Sequence, residues 1–126
     1  CVMPGINDLN LRVPFAEPAA HLDELFDGFG RALPRTRIHV QSVLPVNDAW
    51  MFEIEPAAID ALNAELARQP RARGYVFVDL RPAFADAEGR LRRDLSNDGL
   101  HLTGAGYAVW RQSIRDLVIE REAGPR

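Results

Sequence analysis

A run of six residues, Tyr75-Val76-Phe77-Val78-Asp79-Leu80, limits what this chain can fold into more than any other stretch. It is apolar nearly throughout, which suits a strand buried on both faces. Residues 1–3, Cys-Val-Met, read as the tail of another buried strand, and residues 37–43 as a third. Between these runs the periodicity turns helical. Leu22, Leu25, Phe26, Phe29 and Leu33 share one helical face, with Pro18 suited to the first turn and Pro34 to the stop. Pro56 opens a second helix carrying Ile59, Leu62 and Leu66 on one side and stopping near Pro70. Thr103 reads as the N-cap of a last helix marked by Tyr107, Trp110, Ile114, Leu117 and Val118. A charged loop over 81–97 leads to it. The order strand, helix, strand, helix, strand, loop, helix predicts an α/β fold with a parallel sheet and helices on its faces.

Length and charge bound the partners. A chain of 126 residues is expected to form one domain over 1–126, since two cores need more chain. The formal charge is −3, and its 15 basic residues are all arginine without a basic stripe, so nucleic acid is not expected as a partner. No apolar run reaches membrane-spanning length, and no signal-peptide pattern is visible. Cys1, the single cysteine, permits no internal disulfide. It reads as a core residue of the first strand, with a lipidated N-terminus or a reactive nucleophile as lesser alternatives. The compartment is not legible.

In parallel sheets ligands gather at the carboxyl ends of the strands. The turn over 4–8 and the loop over 44–48 both leave strands there, and the loop at Asp98-Gly99-Leu100-His101 is expected to join them. Asp98 stands three residues before His101, close enough for its carboxylate to reach one imidazole nitrogen and steady the ring as a base. The same spacing fits an acid and a histidine on a polar surface loop. Asn7, just past the bend at Gly5, could donate its amide to an oxyanion or close an Asx turn. Val46, Trp50 and Phe52 sit where a substrate pocket or the core could use them. Asp94, Asp98 and His101 make a poor zinc set. His21 reads as solvent-facing, His39 as structural, and Asp79 as a cap or a partner of Arg81.

Taken together, Gly5-Ile6-Asn7-Asp8, Gln41-Ser42-Val43-Leu44-Pro45 and Asp98-Gly99-Leu100-His101-Leu102-Thr103 with Gly106-Tyr107 resemble the SGNH (GDSL-type) hydrolases, nearest to their lysophospholipase-like and platelet-activating-factor-acetylhydrolase-like esterases. The resemblance implies a three-layer α/β/α flavodoxin-like sheet. It makes Asn7 an oxyanion donor, His101 the base and Asp98 its acid, acting on a small-molecule ester with no cofactor or metal; Val46 and Trp50 are the positions expected to bind substrate.

One departure limits this. The family's nucleophilic serine and a second oxyanion glycine lie upstream of the Gly-x-Asn-Asp block, and only four residues precede Gly5 here. The sheet is therefore expected to lack its first two strands and first helix, and the isolated chain to be inert. Ser42 reads as a small residue packed against a helix; Ser96 and Ser113 are equally poor substitutes for the nucleophile. An apolar strand edge near Met3 is expected to invite self-association or complementation by another segment. The alternative reading is a non-catalytic, truncated domain that serves as an association or binding module.

Overall fold

The computed structural model describes residues 1–10, 16–47 and 54–119. Among them the elements run α1 (Ile6–Asn10), α2 (Ala16–Ala32), β1 (His39–Gln41), α3 (Pro56–Ala72), β2 (Val76–Val78), α4 (Arg81–Phe84) and α5 (Gly104–Ile119). β1 and β2 are parallel, with His39, Val40 and Gln41 opposite Val76, Phe77 and Val78. Val2 extends the sheet on the far side of β1: its N–H donates to His39 O (2.9 Å) and its carbonyl accepts from Gln41 N (2.8 Å). All three segments point the same way, as the alternation of strands and helices predicts.

The side chains sort into two apolar layers because successive strand residues face opposite ways. Val40 and Phe77 point to one face, where Leu22 and Phe26 of α2 and Ile59, Leu62 and Leu66 of α3 close over them. Val78 and Leu80 belong to the other layer with Phe84, Leu91, Leu95 and Ile114 of α5. Phe26, Leu62 and Leu66 are fully buried, each worth about 1.5–3 kcal/mol relative to exposure. The result is the three-layer helix–sheet–helix arrangement expected from the sequence.

Several local expectations are corrected. The turn over 4–8 contains a short helix, α1, because Gly5 (φ +109°) turns the chain and its carbonyl accepts from Leu9 N (3.3 Å). α3 runs past Pro70 to Ala72; the proline gives up its own N–H bond and crowds the carbonyl of Leu66, and the helix ends within two residues of it. β2 is not buried on both faces: Val76 is 38% exposed, and Phe77 and Val78 are half-buried, because among the described residues β1 is its only neighbouring strand. Leu25 of α2 and Leu33 just past its end stand exposed while Leu22 and Phe26 are buried, so the apolar stripe is narrower and shorter than its spacing suggested. Tyr107, 60% exposed, likewise falls off the buried face of α5. Cys1 is exposed, not core.

The stretch over 81–97 is the largest correction. Its charges suggested a loop, yet it holds α4 and a bridge between Ala85 and Leu91. Phe84, Leu91 and Leu95 give it an apolar floor under α5. Three well-spaced apolar residues sufficed, while the arginines and acids stay outside in pairs such as Arg92–Asp94 (2.7 Å) and Arg90–Asp86 (3.6 Å).

Candidate active site

The loop before α5 is built to hold one carboxylate against one imidazole. Asp98 Oδ1 accepts the N–H groups of Leu100 (2.9 Å) and His101 (2.7 Å), an Asx turn that fixes the backbone between them. Its other oxygen, Oδ2, lies 2.6 Å from His101 Nδ1. The imidazole beside Asp98, and after it the two backbone N–H donors, hold its carboxyl well below the usual carboxylate range. Ionised, it can only accept, so in the neutral ring the proton sits on Nδ1 and the lone pair on Nε2. The His101 side chain is 72% exposed, on the rim of the molecule and not in its interior.

The start of α5 fixes the pair in space. Thr103 caps α5 as predicted, its Oγ1 accepting from Gly106 N (3.3 Å), while its own N–H donates to Leu95 O (2.9 Å). Gly106 lets the helix approach that same carbonyl: a Cβ there would stand 2.6 Å from Leu95 O. On the other side Asn47 ties the loop to the carboxyl end of β1. Its N–H donates to Gly99 O (2.8 Å) and its side-chain amide to Leu91 O (2.7 Å). The expectation that this loop reaches the sheet's carboxyl edge is thus met, through a residue that the sequence marked only as part of a loop.

Asn7 is exposed in the first turn of α1. Its neighbour Ile6 packs against the same apolar cluster as Val46 and as Leu100, which precedes His101. Two clefts adjoin this region. One, of about 430 Å³, is walled by Pro45, Val46, Pro56, Ile59 and Pro82, with Asp79 and Arg81 at its rim. The other, of about 370 Å³, is polar and lined by Asn47, Ser96, Asp98 and Gly99 among others. Neither Asn7 nor His101 is among the residues lining these two clefts. Trp50 and Phe52 lie outside the described residues.

The remaining candidates have structural employment. Asp79 accepts from Arg81 N (3.1 Å) and both ends of its guanidinium (2.9 and 2.8 Å), which holds its carboxyl below the ordinary value. His39 is buried in β1 and His21 is exposed. Asp94 turns to Arg92, so it does not join Asp98 and His101 as a ligand set. Among the described residues no group of three or more histidine, cysteine or acidic side chains is placed to hold a metal ion.

Residues 1–109 match the GDSL-like Lipase/Acylhydrolase family. The chain belongs to this family. Solved structures agree in fold: a Streptococcus pneumonia protein described as a "putative platelet activating factor" is 29% identical with a TM-score of 0.86, covering 92% of this chain and 57% of its own. A GDSL-like lipase from Bacteroides thetaiotaomicron is 22% identical with a TM-score of 0.78, covering 93% of this chain and 60% of its own. The esterase domain of a zebrafish retrotransposon ORF1 protein is 24% identical with a TM-score of 0.69, over 92% of this chain and 65% of its own. This chain therefore spans less than two thirds of the length of each. No curated protein matches it by sequence. Asn47 and Ser96 are what the sequence reading of this GDSL-like chain missed. A polar residue at a strand's carboxyl end and a hydroxyl two places before the acid are the signals that could have found them.

Proposed function

We propose that this chain supplies the base, its acid and one oxyanion donor of a serine esterase working through an acyl-enzyme. The observation that carries the reading is the 2.6 Å contact between Asp98 Oδ2 and His101 Nδ1 on an exposed ring. With Nδ1 so engaged, Nε2 takes the proton of an attacking hydroxyl as its oxygen bonds to the ester carbonyl carbon. The same nitrogen returns the proton to the alkoxide as the ester C–O bond breaks, and a water then releases the acid by the reverse roles. Asp98 stabilises the imidazolium in between. Asn7 donates its amide hydrogen to the carbonyl oxygen as it gains charge. Val46, on the wall of the 430 Å³ cleft with Pro45 and Ile59, is in keeping with an apolar seat for part of the substrate.

The attacking hydroxyl comes from outside the chain's three serines. Ser42 is fully buried and accepts from Leu80 N (2.9 Å). Ser96 is buried against Asp98, and Ser113 donates to Val109 O (2.9 Å) within α5. A second reading, an association module, is favoured by one set of observations. Met3 is 37% exposed, and Gln41 Nε2 is buried without a hydrogen-bond partner among the described residues. Val2 spends its peptide groups on β1, so those of the residues flanking it face the opposite edge, where a further strand would pair.

The deciding test is ester turnover in an enzyme reconstituted by joining this chain to the serine-bearing segment of a GDSL-like relative. His101→Ala is expected to lower p-nitrophenyl ester turnover by roughly four to six orders of magnitude, and Asn7→Ala by roughly two to three. Undiminished turnover from His101→Ala would overturn the assignment, and fluorophosphonate labelling of Ser42, Ser96 or Ser113 would place the nucleophile within the chain.

A further inference from the structure

The Asp98 carboxylate is held from a third direction, by a side chain with no part in the proton transfers proposed for His101. Ser96 Oγ accepts the N–H of Gly99 (2.9 Å) and donates its hydrogen to Asp98 Oδ1 (3.3 Å). Ser96 is itself 7% exposed, and it bridges Leu102 across the loop as Leu95 takes the Thr103 N–H. Both bonding roles of this hydroxyl are thus spent inside the loop. The two backbone donors to Oδ1 come from residues 100 and 101, on the carboxyl-terminal side of the acid. Any aspartate at this place closes that Asx turn. A carboxylate gripped from one side can still twist part-way about Cβ–Cγ and tilt its second oxygen out of line with the ring N–H. A donor from residue 96, on the amino-terminal side, opposes that rotation.

We propose that Ser96 is a positioning residue: by closing the loop on Gly99 and holding Asp98 Oδ1, its hydroxyl keeps the carboxylate turned so that the other oxygen stays in line with His101 Nδ1. The proposal rests on the reading of His101 and Asp98 as base and acid. It assigns the serine a part in catalysis that requires no contact with substrate. The charged groups around the same cleft are Arg92, engaged with Asp94 (2.7 Å), and Arg93; neither is altered by the test.

The test reads the imidazole tautomer in this chain by its ring nitrogen chemical shifts at alkaline pH. Ser96→Ala is expected to lower the ratio of Nδ1–H to Nε2–H forms at least two-fold. Ser96→Cys, close to serine in volume but a much weaker donor, is expected to do the same and serves if the alanine variant fails to fold. Asp98→Ala is the reference. A ratio that moves in Asp98→Ala but not in either Ser96 variant overturns the proposal and leaves the base–acid pair standing. A ratio unmoved in all three overturns the pair as well, because the carboxylate then does not set the tautomer. A merely structural serine would lower stability and leave the ratio as it was.

Discussion

Asn63 shows how much a single side chain can settle here. It is buried in α3, and its amide copies a strand edge: Oδ1 accepts Val43 N (2.7 Å) and Nδ2 donates to Val43 O (3.0 Å). The backbone leaving β1 has no strand at that point, so without the amide both peptide groups would be buried unpaired. Asn63→Ala is expected to cost about 2–4 kcal/mol, more than the loss of one hydrogen bond, because two desolvated groups are stranded. Urea unfolding measures it; a loss under about 0.5 kcal/mol would show that water reaches Val43. Nothing in the sequence marks Asn63 apart from Gln69 or any other polar residue of that helix. Asp98 and His101 are different. Their spacing is local, so the ring contact could be expected before any fold was known, while the Asx turn at Asp98 came only with the structure. Asn7 lies between these cases: its place after the first bend was legible, but the partners of its amide depend on segments distant in sequence.

Among the elements, α5 carries the most consequence for the candidate site, since the loop holding Asp98 and His101 hangs from its first turn. Gly106 sets how closely the two approach. Replacing it with alanine would normally favour a helix by about 1 kcal/mol. Here the new methyl would meet Leu95 O at 2.6 Å and Leu102 Cβ at 3.0 Å. Backbone cannot swing aside as a side-chain tip can, so overpacking at about 1–3 kcal/mol outweighs the propensity gain. Gly106→Ala is therefore expected to lower the melting temperature by about 3–6 °C. A higher melting temperature would mean that the loop yields freely. The helix itself was plain from its cap and its stripe. Tyr107 shares the stripe's spacing yet stands exposed, because periodicity gives the direction of a face but not how far the packing layer extends along it.

At the scale of the molecule, charge pairing ties stability to pH. Asp79 beside Arg81, Asp94 beside Arg92 and Asp98 beside His101 all have carboxyl pKa values held below the ordinary one. A group whose pKa is lower folded than unfolded adds stability that is present above its unfolded value and lost as pH falls toward the folded one. Urea midpoints are therefore expected to hold from pH about 7 to 5 and to fall below about pH 4. Asp79→Asn is expected to flatten part of that fall, and a midpoint that rises on acidification would contradict the pairing. The order of strands and helices, the parallel sheet and the acid–histidine loop were all determined by sequence, because each rests on contacts between residues near one another along the chain or on a simple alternation of polarity. The tertiary structure alone decided that the stretch over 81–97 folds onto α5 and that β2 is more exposed than its composition implies. It also decided that Asn47 and Ser96 brace the loop of Asp98. Those outcomes depend on which distant groups meet, and a buried peptide or carboxylate takes whichever donor the packing brings within reach.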